Sequence, residues 1–489
     1  MKLNKPHKLW QKALVSLLAF PLLALPQTAG AAADQAEAEA GAQASELQVI
    51  QEVLDYLDTY NIEGVKREEL LDNAIRGMVY SLDDPYSDYF TAEELKEFEN
   101  SVNQEFVGIG ATLRFSGHKL YVTDVLPGSP AVASGLQKGD VIAKIDGEPV
   151  SGNEDILRIQ GEENTKVVLG VTRGGQALSI TVTRNPVSLP AVTGSYLPSG
   201  RIGYIAISSF SEKGDKEFSA ELDKLRDKGI RSLVLDLRDN LGGYVETAAN
   251  IAKYFMKSGT LMYTSGQNNE LEAVTISGGQ DIGIPVVILT NELTASASEI
   301  LTGALRDNGI ATVVGTKTYG KARIQNVFSL SNGSSLKLTV QRYLTPNRED
   351  FNHVGLNPDI EVKNNAVAQL ITGLYKGGAR SLEISGSPAT LSVNGVSFRG
   401  YIDSFKDGNK VYVPSRIIGA LMKGNVSWTT SGRKLTVADG NGKAAGFTVG
   451  AGDVKLMNGE TYVEMHKLAG KFPRLTWSYQ QGGIQLSYN

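Results

Sequence analysis

Pro285-Val286-Val287-Ile288-Leu289-Thr290-Asn291-Glu292-Leu293-Thr294-Ala295-Ser296-Ala297-Ser298-Glu299-Ile300 begins as an unbroken aliphatic run and ends in small and hydroxyl side chains. Such a run fits a strand buried on both faces, and 298–308 fits a helix after a short loop. The same order occurs twice upstream. Ile202-Gly203-Tyr204-Ile205-Ala206-Ile207 precedes a helical pattern at 215–228, and the apolar stretch 232–237 precedes another at 244–256. This alternation predicts an α/β layered core over 187–370 within a multidomain α+β chain. In such folds chemistry collects in loops that follow the carboxyl ends of strands.

Working outward, the flanks differ in character. Residues 104–186 read as short strands broken by Gly and Pro. Val122-Thr123-Asp124-Val125-Leu126 leads into Pro127-Gly128-Ser129-Pro130, then a small helix, Lys138-Gly139-Asp140, the strand Val141-Ile142-Ala143-Lys144-Ile145 and the turn Asp146-Gly147. That order resembles a PDZ domain, β-rich with short helices. Residues 34–103 form a helical region. Leu47, Ile50, Val53, Leu54 and Leu57 share one face, Leu70, Leu71, Ile75 and Met78 another, and Thr91-Ala92-Glu93-Glu94 reads as a helix cap. A Gly/Ser-rich shift marks 371–388 as a linker. Beyond it, 389–489 is β-rich with an internal repeat: Tyr412 precedes Trp428 by 16 residues, and Tyr462 precedes Trp477 by 15.

The chain has 489 residues with a net charge of −5 and no block of like charge, which argues against nucleic acid as a partner. It has no cysteine, which excludes disulfides, thiolate catalysis and Cys-ligated metals. Lys2, Lys5, Lys8 and Lys12 precede an apolar run at 13–25 and the small-residue sites Ala29-Gly30-Ala31 and Ala31-Ala32-Ala33. This is the pattern of a cleaved export signal over 1–33, too short for a spanning helix, so a secreted or extracytoplasmic location is expected. Retention of the segment as an anchor stays open.

Histidine is scarce (His7, His118, His353 and His466), no pair has metal-ligand spacing, and no G-x-S-x-G elbow occurs. Neither a His-based triad, a metal nor a cofactor is expected. Ser116-Gly117-His118-Lys119 and Ser431-Gly432-Arg433-Lys434 match S-x-x-K but lack its companion motifs. Three segments could carry chemistry together. Thr294 to Ile300 places small residues at a helix N-terminus, where amides favour negative charge, although Ser296 or Ser298 could simply cap the helix. Asp236-Leu237-Arg238-Asp239-Asn240-Leu241-Gly242-Gly243 ends a buried strand in two glycines, and Gly315 to Gln325 carries Lys321. Taken singly, each has an ordinary structural explanation.

In order and spacing these segments resemble the carboxy-terminal processing peptidases, serine endopeptidases with a PDZ domain and a Ser/Lys pair. The resemblance also covers Asp84-Pro85-Tyr86-Ser87, Gly108-Ile109-Gly110-Ala111, Tyr343-Leu344-Thr345-Pro346 and Gly355-Leu356-Asn357-Pro358-Asp359-Ile360. It implies that Ser296 is the nucleophile and that Lys321, 25 residues on, is the general base, oriented by Gln325. The oxyanion donors would be the amides of Gly242 and Ala297, with Gly243 the alternative. Gly108, Ile109, Gly110 and Ala111 would bind the carboxylate of protein or peptide substrates with free C-termini. Ala322 and Asn347 stand where the family usually has glycine. The 389–489 region resembles the domain at the N-terminus of some copper amine oxidases. A cell-envelope ligand for it and a homo-oligomer remain open, and it is expected to be separable because every implied catalytic group precedes it. The competing expectations are an inactive PDZ scaffold and a cell-envelope binding protein.

Overall fold

The computed structural model describes residues 15–17, 33–116, 119–363, 365–480 and 482–489. Its centre is a six-stranded sheet in the order Val192–Leu197, Ile202–Ile207, Ser232–Asp236, Val286–Thr290, Ala311–Gly315 and Ile360–Glu361. The first pair is antiparallel and the rest are parallel. Because side chains alternate along a strand, Leu233, Leu235, Ile288 and Val313 pack on one face against Phe218, Leu222, Leu301 and Leu305 of helices Gly214–Asp227 and Ala297–Asp307. Val234, Val287, Leu289 and Val314 point the other way, toward Val367, Leu370, Ile371 and Leu374 of helix Ala366–Lys376.

A second sheet borders the first and holds Arg323–Ser329, Ser335–Leu344, Gly259–Ser265 and Glu272–Ile276. The short strand Asp88–Phe90 joins it antiparallel to Ser335–Leu344, between helices Arg67–Tyr80 and Ala92–Val102. Thr91 caps the latter helix in a reciprocal box with Glu94, at 3.2 and 2.9 Å. The apolar face of helix Ala33–Tyr60 is mostly exposed: Leu54 is buried, whereas Leu47, Ile50, Val53 and Leu57 are not. The export-signal expectation falls largely outside the described residues, but Val15–Leu17 is an extended segment running parallel between Gly242–Tyr244 and Arg323–Ser329.

The segment that resembles a PDZ domain is a separate antiparallel sheet of Ala111–Ser116, Lys119–Val125, Val141–Ile145, Lys166–Arg173 and Gln176–Thr183, with Glu148–Pro149 paired to Val141–Ile145. Its entry and exit strands, Glu105–Gly108 and Asn185–Ser188, pair with each other and form the connection to the rest of the chain. After the six-stranded sheet come two runs of strand, helix and hairpin, starting at Lys410–Pro414 and Glu460–Glu464, whose first strands pair antiparallel. Residues 371–388, expected as a linker, instead hold the end of helix Ala366–Lys376 and the strand Glu383–Ser387. Their glycines have packing duties: a Cβ on Gly386 would lie 2.8 Å from Ile402 Cγ1, and one on Gly373 2.6 Å from Leu289 Cδ2. Composition imitated a linker because close backbone approach selects the same residue.

Candidate active site

Three loops meet at the carboxyl edge of the central sheet. Thr294 Oγ1 donates to Leu237 O (2.9 Å), Ala295 N to Asn240 O (3.0 Å) and Tyr319 N to Thr294 O (2.9 Å). The segments around Gly242, Ser296 and Lys321 are therefore tied together through backbone groups.

Ser296 sits between strand Val286–Thr290 and helix Ala297–Asp307 with φ 58° and ψ −118°, a conformation unfavourable for a residue with a Cβ. Strain of this kind at a strand-to-helix turn is a mark of functional sites. The helix end is capped from Glu299: Ser296 N donates to its Oε2 at 2.9 Å, and Glu299 N is taken by Ser296 O at 2.8 Å. Ser298 Oγ is occupied with Asn240 O at 3.0 Å.

Glu299 does more than cap. Its Oε2 also accepts from Lys321 N at 2.9 Å, while Oε1 accepts from Gly320 N at 2.7 Å and Thr318 Oγ1 at 2.5 Å. Burial raises its pKa, and these donors oppose the rise. One carboxylate oxygen thus joins the amides of Ser296 and Lys321. A second tie joins their carbonyls, since the Tyr343 hydroxyl lies 3.1 Å from Ser296 O and 2.6 Å from Lys321 O. Neither residue received a role from the sequence. The S-x-x-E spacing of Ser296 and Glu299 was the available signal for one, and for Tyr343 the signal was its place in the matched segment Tyr343-Leu344-Thr345-Pro346.

Lys321 is fully buried, with Nζ 4.8 Å from the centre of the Tyr86 ring. Burial holds its pKa well below the usual lysine value, and the charge of Lys337 adds to this, while Asp84 and Glu299 oppose it. An amine in that state can be neutral, as a base must be. Gln325 is also fully buried, but it does not contact the amine. Its Nε2 donates to Thr339 Oγ1 at 3.0 Å, and its Oε1 is a buried acceptor without a partner. Ala322 avoids positive φ and is buried, so the usual second glycine is not required there.

Gly242 has φ 108°, and a Cβ there would fall 2.8 Å from Ser296 Cβ and 3.1 Å from Ala297 N. No larger residue fits. Its amide, however, donates to Asn240 Oδ1 at 2.9 Å, and Asn240 Nδ2 is itself bonded to Ile207 O at 2.8 Å. To act as the expected oxyanion donor, the Gly242 amide would have to leave Asn240. Phe210 N bonds Gly242 O and Tyr244 N bonds Phe210 O, so strand alternation turns the Gly243 amide to the opposite side, where Ser16 pairs with it in register. Asp236, whose strand leads into this loop, is held ionised by Arg238 at 2.5 Å against the opposing effect of burial. Arg238 reaches on to Ala366 O and Gln369 Oε1.

In the PDZ domain the Gly108–Ala111 loop is anchored through carbonyls: Ile109 O accepts from Ala131 N (2.8 Å) and Gly110 O from Leu126 N (2.9 Å). Gly110 has φ 75°, and a Cβ there would meet Ser129 Cβ at 2.3 Å. Strand Ala111–Ser116, which follows the loop, lies at a sheet edge. His118 is outside the described residues. His353 is exposed, and His466 bonds Glu464 at 2.8 Å in the C-terminal region. Among the described residues no group of three or more His, Cys, Asp or Glu side chains could hold a metal, and no helix is long and apolar enough to cross a membrane.

Comparison with known proteins matches residues 201–362 to peptidase family S41, 107–183 to the PDZ domain, and 23–94 to the activating protease CtpB N-terminal domain. A "Probable CtpA-like serine protease" of Staphylococcus saprophyticus is 35% identical over 334 residues, covering 67% of this chain and 68% of that protein. One from Staphylococcus aureus is 34% identical over 324 residues, covering 65% of each. The chain thus spans about two thirds of the length of these relatives. Among solved structures, a photosystem II D1 C-terminal processing protease aligns at 28% identity and TM-score 0.43, covering 68% of this chain and 97% of that one.

Proposed function

The chain belongs to peptidase family S41, as a serine endopeptidase with a PDZ domain, and on that premise we propose that it is an exported enzyme that cleaves peptide bonds with a Ser296/Lys321 pair. The observation that carries this reading is the double tie through Glu299 and Tyr343, which fixes the strained serine beside a buried lysine. Lys321, neutral through burial, takes the Ser296 proton as the hydroxyl attacks the scissile carbonyl, then delivers it to the leaving amine. The Ala297 amide at the helix start, joined by that of Gly243, receives the developing oxyanion. Gln325 Oε1, the open buried acceptor, serves the Lys321 amine when substrate is bound. The extended run of Val15–Leu17 beside Gly242–Tyr244 supports a substrate that enters as a strand.

The PDZ edge at Ala111–Ser116 accepts a peptide C-terminus by strand addition, its carboxylate facing the amides of Gly108 to Ala111. The exposed face of Leu47, Ile50, Val53 and Leu57 supports a homo-oligomer. The C-terminal region is read as a copper-amine-oxidase-N-like module, a resemblance that implies no copper. The test is cleavage of an unstructured protein by wild type beside Ser296→Ala. Wild-type cleavage that the variant lacks is expected, and equal cleavage by a folded Ser296→Ala protein would reject the nucleophile.

A further inference from the structure

The ring that covers the Lys321 amine comes from outside the peptidase domain. Tyr86 belongs to the loop between helix Arg67–Tyr80 and strand Asp88–Phe90, within the segment matched to the N-terminal domain rather than to the peptidase. It is 6% exposed, and its ring centre is 4.8 Å from Lys321 Nζ.

The loop is held in place by its own chemistry. Asp84 accepts from Tyr86 N (3.2 Å), Ser87 N (3.1 Å) and Ser87 Oγ (2.5 Å), closing a tight Asx-type turn. Ser87 Oγ also accepts from Thr339 N at 3.0 Å, on the strand whose Thr339 side chain holds Gln325. From the other side, Arg76 donates to Tyr89 O (2.9 Å) and the Tyr89 hydroxyl to Asp72 (2.9 Å). Phe90 and Phe98 cover the buried Lys337 on the same strand, at 5.1 and 4.7 Å. A turn pinned to a peptidase strand and braced by two helices can hold a ring in one position.

We propose that Tyr86 is a positioning residue for the reaction, its ring closing the chamber of the Lys321 amine so that the N-terminal region keeps the general base dry. The inference rests on the Ser296/Lys321 reading. The ring has opposing effects. Its face attracts a cation, which favours the protonated amine, while its bulk excludes the water that would solvate that cation. Exclusion is taken as the larger effect, since the ring lies over a fully buried amine whose pKa is lowered chiefly by burial. The charged groups that act on the amine are Lys337 on the neighbouring strand, Glu299 on the helix and Asp84 on the loop, and those that act on the Tyr86 ring above it are Tyr319, Glu299, Asp84 and Arg323. Burial pushes the Tyr86 phenol itself up to about 12, so it adds no charge at working pH. The part that matters is the ring.

The test is the pH dependence of kcat/KM for the full chain as wild type, Tyr86→Phe, Tyr86→Ala and Lys321→Met. Tyr86→Phe keeps the ring and should keep the midpoint of the rise with pH. Tyr86→Ala admits water and should move that midpoint up by about one unit, losing about tenfold of the activity below it and recovering at alkaline pH. A loss of activity that is uniform across pH would mean a structural role only and would overturn the proposal. If Tyr86→Ala does not fold, Ser87→Ala loosens the same roof by removing its link to Thr339. It should shift the midpoint in the same direction, and an unmoved midpoint there is equally fatal. Lys321→Met separates the two layers of the argument. An active Lys321→Met protein rejects the base itself, whereas an inactive one beside an unmoved Tyr86→Ala midpoint rejects only the roof.

Discussion

The PDZ domain before the peptidase sheet and the module after it are attached to it in different ways. The PDZ domain closes its own core, with Leu120, Val122, Val167, Leu169, Val171 and Val182 packed on one another. It meets the rest of the chain through the paired strands Glu105–Gly108 and Asn185–Ser188 and a polar patch against the C-terminal module. There Arg114 reaches Asp403 (2.6 Å), Pro388 O (2.7 Å) and the face of Tyr401, and Ser116 and Lys138 reach Asp403 and Ser397 respectively. The C-terminal module closes no core of its own. Its Phe398, Val411, Val413, Ile418 and Leu486 form one apolar cluster with helix Ala366–Lys376 and with Val234, Val287 and Leu289 of the peptidase sheet. Phe398 stands edge-on to Tyr204, ring centres 5.0 Å apart. A domain joined by a ribbon can move without cost to the enzyme's core. A module that shares the core belongs to one cooperative unit with it.

The largest effect should come from cutting at that shared core. A chain ending at Asn365 loses helix Ala366–Lys376, which covers Val234, Val287, Leu289 and Val314, and also the bonds of Arg238 to Ala366 O and Gln369 Oε1. It should fail to give a soluble, cooperatively melting protein, against the expectation from sequence that this region is dispensable. A folded, cleaving truncation would break the comparison.

A smaller and sharper test uses matched alanines. Phe398→Ala and Leu169→Ala each remove a buried side chain and should each cost about 3–4 kcal/mol. Calorimetry should place the first loss in the transition of the peptidase and the second in a separate PDZ transition, with cleavage by the core retained. If Leu169→Ala lowers the peptidase transition as much as Phe398→Ala does, the two attachments are alike.

What the sequence could show follows the range over which each feature is encoded. The buried strands at 232–236 and 286–290 were legible because a parallel strand covered on both faces reads as a continuous apolar run. The segments that carry Ser296 and Lys321 were legible through motif order, and Glu299 ties the two backbones together. The linker at 371–388 was misread because helix-end and close-approach glycines look like flexible ones. The roles of Glu299, Tyr343 and Tyr86 were hidden because each acts on atoms distant in sequence or on the backbone. Tyr86 and Lys321 are brought together only by strand Asp88–Phe90 joining the sheet. The bond of the Gly242 amide to Asn240, two residues earlier, was not legible, because two adjacent glycines do not announce it.

Lys321 carries the central claim, and its substitution by arginine tests it most directly. A lysine that served only as a structural cation would tolerate such an exchange, but a base would not, since guanidinium stays protonated throughout the working range. The measurement is kcat/KM for Lys321→Arg beside wild type, with folding checked by its melting transition. Loss of general-base catalysis predicts a fall of about a hundredfold to ten thousandfold in a protein that still melts cooperatively. A folded Lys321→Arg enzyme that cleaves at close to the wild-type rate would contradict the Ser296/Lys321 mechanism.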